Sequence, residues 1–274
     1  MAQVQSHSFQ TEPEGATGRV LAKSQQNLLL EMRGVGLEIP VFTTEMRSLG
    51  STLIRSVTGG QLKRDRRGAV IQALRDLNLT VFHGERIAPI GHNGAGKSTF
   101  LRLISSIYHP TAGQMMLHAY VYPMLHRGFL TSNELSGYQA MKAHYLMIHG
   151  NLRGFEEFAE DVRDFSGLGD YINLPVKGYS QGMTARLLFA LLTGISHECL
   201  ALDEGIGTGD SRFVEAAQKR LDAFIESSGT LFLASHSDEL LRRFCTRGLV
   251  FNEGRIVCDA PLEEALSYYH NSLH

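Results

Sequence analysis

One short glycine-rich segment constrains this 274-residue chain more than any other feature of its sequence. Residues 91–98 read Gly-His-Asn-Gly-Ala-Gly-Lys-Ser and match the pattern G-x-x-x-x-G-K-[ST]. A predicted strand, Arg86–Ile90, precedes the segment, and residues 99–107 follow it with apolar side chains at helical spacing. In that setting the glycines let backbone N–H groups surround a phosphate, and the start of the helix adds partial positive charge. A glycine turn without a ligand is the alternative, but such a turn gains nothing from Gly-Lys-Ser.

The loop provides the first set of candidate binding residues. We expect it to surround phosphate oxygens with Gly91, His92, Asn93, Gly94, Ala95, Gly96, Lys97, Ser98 and Thr99. Lys97 would reach the β- and γ-phosphates of a nucleoside triphosphate, and Ser98 would offer its hydroxyl to Mg²⁺. The sequence therefore predicts nucleotide hydrolysis that depends on Lys97.

Two acidic residues directly follow another predicted strand. Cys199–Leu202 is a short apolar run, as expected of a central strand whose carboxyl end faces the ligand crevice, and Asp203 and Glu204 come next. We expect Asp203 to hold the magnesium shell and Glu204 to act as general base on the attacking water. A solvated strand end is the alternative, and the phosphate-binding loop earlier in the chain makes it the weaker one. Asp210 is either a helix N-cap or an interface residue, and the sequence alone favours the cap.

Strand and helix patterns alternate through most of the chain. From Cys199 onward this alternation predicts a mostly parallel sheet covered by helices, which is an α/β fold. A mostly helical stretch at about residues 128–178 is interpreted as an α-helical subdomain. Residues 28–39 predict two short strands separated by a turn at Gly34, as part of a small antiparallel β subdomain. Residues 114–125 predict one further strand.

Composition limits the class of protein. Residues 1–27 are polar and lack periodicity, so we expect a disordered tail before a domain at 28–274. The longest nearly uninterrupted apolar stretch, residues 187–195, is far shorter than the roughly 20 residues that cross a bilayer, which predicts no membrane span. The three cysteines fit no zinc spacing and are expected to be reduced. A net charge of −2 is weak evidence against a nucleic-acid coat protein.

A second glycine turn stands before a predicted helix. Residues 179–183 read Tyr-Ser-Gln-Gly-Met, which places Ser180 and Gly182 at the N-terminus of that helix, where an anion can bind. Taken alone, Ser180 is more simply an N-cap. His236 ends an apolar strand and, taken alone, is more simply a hydrogen-bonded structural residue.

Together and in this order, these motifs resemble the nucleotide-binding subunits of ABC transporters over residues 28–270. The segments at 168–176, 179–183 and 202–210 are similar to the ATPase subunits that export bacterial surface polysaccharides such as O-antigen, capsule and teichoic acid. Ala-Ser-His-Ser at 234–237 and the block at 91–99 are most similar to the O-antigen members.

The resemblance implies an activity and partners. It implies a homodimer that holds two ATP molecules with Mg²⁺ between its subunits, where Ser180, Gln181 and Gly182 contact the γ-phosphate of the partner's nucleotide. It makes His236 the switch histidine, which couples the γ-phosphate to Glu204, and makes Asp210 a link across the interface. It also implies two transmembrane permease subunits, a lipid-linked polysaccharide handled by the whole transporter, no nucleic acid, and a peripheral position on the cytoplasmic face of the bacterial inner membrane.

The chain departs from the family in several places. The family usually has Leu-Ser-Gly-Gly-Gln where this chain has Tyr179, Gln181 and Met183. A glutamine that senses nucleotide is expected at 122–130, and none stands there. Phe42 is either the ring that stacks on adenine or a core residue. Longer relatives add a carbohydrate-binding domain, and we expect none here because the chain stops at His274.

Some alternatives remain open. The basic stretch 43–68 predicts a short amphipathic helix and a basic loop, which is either solvated or lies near anionic lipid headgroups or the pyrophosphate of a lipid-linked glycan. A soluble ABC-type ATPase acting on nucleic acid or ribosomes is the first rival function, and a binding module with a vestigial ATPase is the second. The near-neutral charge opposes the first, and the presence of Lys97 and Glu204 opposes the second.

Overall fold

The computed structural model describes residues 27–41, 62–65, 68–124, 133–203 and 211–272. Its strands are β1 (Leu28–Val41), β2 (Leu62–Asp65), β3 (Gly68–Phe82), β4 (Arg86–Ile90), β5 (Ala112–Leu117), β6 (Tyr122–Met124), β7 (Cys199–Leu202), β8 (Thr230–Leu233), β9 (Arg247–Asn252) and β10 (Arg255–Pro261). Its helices are α1 (Lys97–Ile104), α2 (Gly137–His149), α3 (Phe155–Ser166), α4 (Gln181–Thr193), α5 (Ser211–Ser227), α6 (Asp238–Phe244) and α7 (Leu262–Ser272). Two short 3₁₀ helices, Gly169–Asn173 and Val176–Gly178, lie between α3 and α4.

The central sheet has six strands in the order β10-β9-β4-β8-β7-β6. The strands from β9 to β6 run parallel, and only β10 pairs antiparallel at the edge. Its inner strands are buried on both faces, which is why they read as continuous apolar runs rather than as alternating ones. The mostly parallel α/β fold predicted from the sequence is confirmed.

Helices cover both faces of this sheet. Ile87 on β4 points to the side of α1, whereas its neighbour Ala88 packs on the side of α5, α6 and α7. On the α1 side, the ring of Phe100 lies 6.1 Å from that of Phe232 and 5.1 Å from that of Phe251. These three rings are fully buried, so they fix α1 to the strands that carry the loop before it.

A second, antiparallel sheet has the order β2-β3-β1-β5. The prediction of two strands separated by a turn at Gly34 is wrong, because β1 continues through that residue. Gly34 has φ 60 and lies at a register shift between β1 and β3, so the chain forms a bulge there instead of reversing. The strand predicted at 114–125 is also wrong as a single element: β5 ends at Leu117 and β6 joins the other sheet.

The helical region between β6 and β7 has a core of its own. Its apolar side chains come from α2, α3 and α4 and from the two 3₁₀ helices, and they include Met141, Tyr145, Phe158, Val162, Ile172 and Leu191. The helices end near the breaks predicted from the sequence, since Gly150 and Gly167 both adopt positive φ angles after α2 and α3. Helix α4 belongs to this core and also packs on the central sheet through Leu188 and Leu192.

Several predictions fall partly or wholly beyond the described residues. The tail at 1–26, the amphipathic helix within 43–60, and Phe42 lie outside them. Where the basic stretch is described, the loop prediction is wrong, because Leu62–Asp65 pairs with β3 as a strand. The cysteines are free, as predicted. Within the described ranges, every helix is too short or too polar to cross a bilayer.

Candidate functional site

Three neighbouring parallel strands bring the candidate residues to one edge of the central sheet. Strand β4 leads into the glycine loop, β7 leads to Asp203, and β8 between them leads to His236. Because parallel strands end at the same edge, residues that are far apart in sequence meet there. The strand order thus explains why motifs from positions 91, 203 and 236 form one site.

The backbone of the loop requires its glycines. Gly91, Gly94 and Gly96 have φ angles of 151, 82 and 115, which side chains rarely allow. A Cβ atom on Gly91 would also lie 2.6 Å from the carbonyl oxygen of Phe251 on β9. Gly96 occupies the N-cap position of α1 and has no side chain, so the cap residue does not compete with a ligand for the first-turn N–H groups.

The ammonium group of Lys97 lies over the loop that precedes it. Its Nζ donates to the carbonyl oxygen of Gly91 and, at 3.1 Å, to that of His92. A phosphate entering the loop would replace these neutral acceptors with charged ones, which bind an ammonium more strongly. The position of Lys97 is therefore suited to a polyphosphate.

The hairpin between β9 and β10 contacts the glycine loop through hydrogen bonds. The amide of Gly254 donates to the carbonyl oxygen of Ala95 at 2.9 Å. The imidazole of His92 lies 2.8 Å from the carbonyl oxygen of Asn93 through Nδ1 and 3.3 Å from Oδ1 of Asn252 through Nε2. These contacts fix the outer part of the loop to a rigid hairpin.

A cavity of about 640 Å³ opens in front of the loop. It is lined by Ile39, Ile71, Ala73, Asn93, Gly94, Gly96, Lys97, Ser98, Thr99, Arg102, Asp203, Ala234 and His236. The cavity thus brings together eight of the predicted site residues from three strand ends. Of the rest of the loop, Gly91 and Ala95 are buried beneath it and His92 is exposed beside it.

The apolar wall of this cavity was not predicted from the sequence. Ile39 on β1 and Ile71 on β3 are paired across the antiparallel sheet, and Ala73 follows on the same face of β3. Arg102, one turn after Ser98 on α1, adds a charged group to the lining. The period-2 pattern of β3 could have indicated the face of Ile71 and Ala73 but not what they face.

The oxygen donors in the cavity fit a magnesium ion. Ser98 supplies a hydroxyl and Asp203 a carboxylate, and both line the same space as Lys97. Mg²⁺ prefers hard oxygen ligands and is commonly held by one or two carboxylates together with substrate phosphates. A hydroxyl and a carboxylate beside a phosphate-binding loop are such a set.

The second glycine turn lies elsewhere. Ser180 accepts a hydrogen bond from the amide of Met183 at 3.2 Å. Ser180 is therefore the N-cap of α4, as one of the two interpretations predicts. Ser180, Gln181 and Gly182 are exposed and do not line the cavity. These three residues are therefore not part of the site that the cavity forms.

The remaining candidates lie outside the described residues. Glu204, Asp210 and Phe42 are among them, as are residues 125–130, most of the stretch in which a glutamine was expected. Helix α5 begins at Ser211, directly after Asp210. The catalytic role predicted for Glu204 stays a prediction.

The chain is similar to proteins of one class. Residues 74–207 match the family model described as "ABC transporter". The O-antigen export system ATP-binding protein RfbE of Yersinia enterocolitica is 34% identical over 231 residues, which are 82% of this chain and 97% of that protein. The capsule polysaccharide export ATP-binding protein CtrD of Neisseria meningitidis serogroup B is 33% identical, with 72% of this chain and 90% of that protein covered.

A solved structure shares the fold. It is a dimeric ATP-binding cassette in a post-hydrolysis state bound to ADP and Pi. It superposes with a TM-score of 0.59 over 85% of this chain and 99% of that one, at 17% identity. At that identity the likeness concerns the architecture only.

Proposed function

This chain belongs to the ABC transporter family of ATP-binding proteins, and from that premise we propose that it is the ATPase subunit of a transporter that exports a lipid-linked surface polysaccharide. One observation carries the ATPase part of the proposal: Lys97, Ser98 and Asp203 converge on one cavity at the edge of a parallel sheet. The names of the relatives, which are ATP-binding proteins of O-antigen and capsule export, support the class of cargo.

The residues of the cavity, together with Glu204, would have different roles in hydrolysis. The loop and Lys97 bind the phosphates and hold the γ-phosphoryl group in place, since phosphoryl transfer depends mainly on positioning and charge stabilisation. Ser98 and Asp203 would hold Mg²⁺, which neutralises charge on the β- and γ-phosphate oxygens when bound. Glu204, the next residue after Asp203, would polarise the attacking water. His236 would contact the γ-phosphate from the end of β8.

The adenosine part of ATP would lie against the apolar part of the cavity lining. Ile39, Ile71 and Ala73 offer an apolar surface to the base. Phe42, one residue beyond the end of β1, is the proposed stacking ring. The antiparallel sheet would thus select the nucleotide while the parallel sheet carries the chemistry.

A second subunit would complete each site. The proposal rests on the exposure of Ser180, Gln181 and Gly182 away from the cavity of their own chain. A serine hydroxyl and helix N-terminal amides are well suited to the γ-phosphate of a nucleotide on the facing subunit. Two copies would enclose two ATP molecules, and Asp210 would link the sites. Closing on ATP and opening after hydrolysis would drive the transport step.

The remaining parts of the assembly are also proposals. We propose one nucleotide-binding domain over residues 28–274, with its helical subdomain at about 128–178. Two transmembrane permease subunits would hold the homodimer at the cytoplasmic face of the bacterial inner membrane. Apart from Leu62–Asp65, the basic stretch 43–68 would lie in solvent, near anionic lipid headgroups or near the pyrophosphate of a lipid-linked glycan.

Two measurements test this function. Purified wild-type protein should hydrolyse ATP with a rate per subunit that rises with protein concentration, and Lys97→Ala should lose that activity. In the source bacterium, loss of the gene should remove the polysaccharide from the cell surface and leave its lipid-linked precursor inside. Restoration by the wild-type gene but not by Lys97→Ala is expected.

Certain results would contradict the proposal. ATP turnover that does not depend on pairing would remove the two-subunit mechanism. Normal surface polysaccharide without the gene, together with salt-sensitive binding of nucleic acid by the protein, would favour the soluble ATPase instead. The names of the relatives favour the exporter.

A further inference from the structure

The residues before Ser180 are fastened to a distant segment of the helical region. Residues 174–179, which lead to Ser180, run beside residues 133–137, which lead to α2; we call this pair of segments the strap. The amide of Lys177 donates to the carbonyl oxygen of Asn133 at 2.8 Å, and that of Val176 donates to Leu135 at 2.9 Å. Ser136 and Pro175 form an isolated antiparallel bridge between the segments.

One side chain completes the strap next to Ser180. The hydroxyl of Tyr179 donates to the backbone carbonyl oxygen of Tyr171, in the first of the two 3₁₀ helices, at 2.6 Å. The ring of Tyr179 is half-buried against the core of the helical region. Tyr179, the last residue before Ser180, is thus held to the first 3₁₀ helix by a short hydrogen bond.

The first residue of α2 makes room for that hydroxyl. A Cβ atom on Gly137 would lie 2.6 Å from Oη of Tyr179 and 2.9 Å from Cδ1 of Ile172. The Gly137 backbone also bears on the phenol: burial raises the pKa of Tyr179, and a hydrogen bond with that backbone opposes the rise. With its pKa raised, the phenol keeps its proton at neutral pH and remains a donor.

Ser180 itself has few other constraints. Its side chain is exposed, and among the described residues its hydrogen bond is with the amide of Met183 in its own helix. Its position relative to α2 and the 3₁₀ helices is therefore set by the packing of α4 in the helical core and by the backbone of Tyr179. The leucine that usually precedes this serine in the family has no donor for such a bond.

We propose that Tyr179 is a positioning residue whose hydroxyl holds the N-terminus of α4 so that Ser180 is aimed at the nucleotide of the facing subunit. The inference rests on the proposed function, in which Ser180 acts across the dimer. Within the strap, the backbone hydrogen bonds hold residues 174–179 against residues 133–137. The hydroxyl of Tyr179 then fixes the last residue before Ser180. Without it, α4 keeps its fold but Ser180 is less well aligned when the subunits close.

The first test removes only the hydroxyl, with Tyr179→Phe. Tyr138→Phe is the matched control, because it removes a tyrosine hydroxyl from α2 that bonds Glu156 at 3.3 Å on the exposed surface. We expect Tyr179→Phe to lower kcat about tenfold, the factor typical of one lost positioning hydrogen bond. ATP affinity of the isolated subunit should stay within about twofold, since that site contains no part of the strap. Tyr138→Phe should match wild type in kcat and in ATP affinity.

The second test asks on which subunit the hydroxyl acts. Dimers with two different affinity tags are purified in two arrangements that contain the same substitutions. In the first, one subunit carries Lys97→Ala and the other Tyr179→Phe, so the intact loop faces an intact Tyr179. In the second, one subunit carries both substitutions, so the intact loop faces Tyr179→Phe. We expect the first arrangement to hydrolyse ATP about tenfold faster.

The outcomes separate the inference from the proposed function. Equal rates in the two arrangements, or Tyr179→Phe with the kcat of wild type, would overturn the positioning role alone. A fall in ATP affinity and in Tm that accounts for the whole loss of rate would also overturn it, because the hydroxyl would then act only on the fold. Wild-type protein that hydrolyses ATP equally well as a monomer would overturn the proposed function and the inference with it.

Discussion

Arg220 on α5 forms a two-point ion pair with Asp161 on α3, in which Nη1 lies 2.9 Å from Oδ1 and Nη2 contacts Oδ2. The same guanidinium donates from Nε to the hydroxyl of Thr193 on α4 at 2.8 Å and lies 4.3 Å above the ring of Phe165. One side chain therefore ties together α3, α4 and α5. Helix α5 follows the acidic segment after β7, and α4 begins at the second glycine turn. This side chain therefore links the helical region to the helix that follows Asp203.

Replacing this arginine should cost measurable stability. The side chain of Arg220 is 17% exposed, so Arg220→Ala removes a largely desolvated ion pair, a hydrogen bond and a cation–π contact. We expect the free energy of unfolding to fall by about 2–3 kcal/mol, less than for a fully buried pair because Asp161 is half-exposed. Urea unfolding followed by circular dichroism measures this change.

A neighbouring residue provides the control. Lys219, also on α5, pairs with Glu215 at 2.9 Å, but both side chains are more than three quarters exposed. Lys219→Ala should therefore change the free energy of unfolding by less than about 0.5 kcal/mol. Similar losses for the two variants would show that the contacts of Arg220 with α3 and α4 contribute no more than a surface ion pair.

The glycine loop makes a second prediction. Gly91→Ala places a methyl group 2.6 Å from the backbone oxygen of Phe251, so the loop must move. We expect ATP affinity to fall about tenfold or more, because the phosphate contacts depend on loop geometry. Gly84→Ala is the control: Gly84 also has a positive φ, 88, but nothing lies within 4 Å of its added Cβ. Gly84→Ala should cost about 1 kcal/mol of stability and leave ATP affinity unchanged. Calorimetric titration with ATP measures the affinity of both variants, and equal losses of affinity would refute the steric explanation.

The metal assignment makes a third prediction. Asp203→Asn keeps the shape of a side chain that lines the cavity with Ser98 but removes its charge. ATP binding in EDTA should stay within about twofold of wild type, whereas the gain in affinity and the hydrolysis that Mg²⁺ provides should fall about 10- to 100-fold. Asp170→Asn, at an exposed position in the helical region, should match wild type in both conditions. A variant at position 203 with normal dependence on Mg²⁺ would show that this carboxylate does not hold the ion.

The sequence predicted the parts of the site that follow from local chemistry. The loop at 91–98 needs glycines, a lysine and a hydroxyl within eight residues, so its spacing alone indicates its function. Asp203 and His236 could be placed at strand ends because short apolar runs precede them. That β7 and β8 lie beside β4 depends on contacts across the sheet, which no local pattern contains.

Other features depended on long-range packing and could not be predicted. The step from β5 to β6 reads as one strand because both halves are apolar, and only the competition between two sheets separates them. Gly34 reads as a turn, yet pairing with β3 on both sides keeps β1 continuous through it. The bond from Tyr179 to the Tyr171 backbone joins residues eight apart through an irregular segment, where no periodicity applies.

Burial of His144 predicts a loss of stability in mild acid. His144 on α2 is 6% exposed, and burial lowers the pKa of its imidazole to about 4; a backbone hydrogen bond with Leu191 opposes this shift and nearby His149 adds to it. In the unfolded chain the pKa is about 6.5, so between these values the unfolded state takes up a proton that the folded state refuses. The contribution of His144 is therefore complete above pH 6.5 and is lost as the pH falls towards 4.

Urea unfolding at pH 7 and pH 5 should show that His144→Gln, which cannot titrate, loses about 1–2 kcal/mol less than wild type over this interval. His197, whose pKa burial also lowers to about 4, remains in both proteins, so a smaller pH dependence should persist in the variant. Equal losses in wild type and variant would mean that His144 gains its proton without opposing the fold.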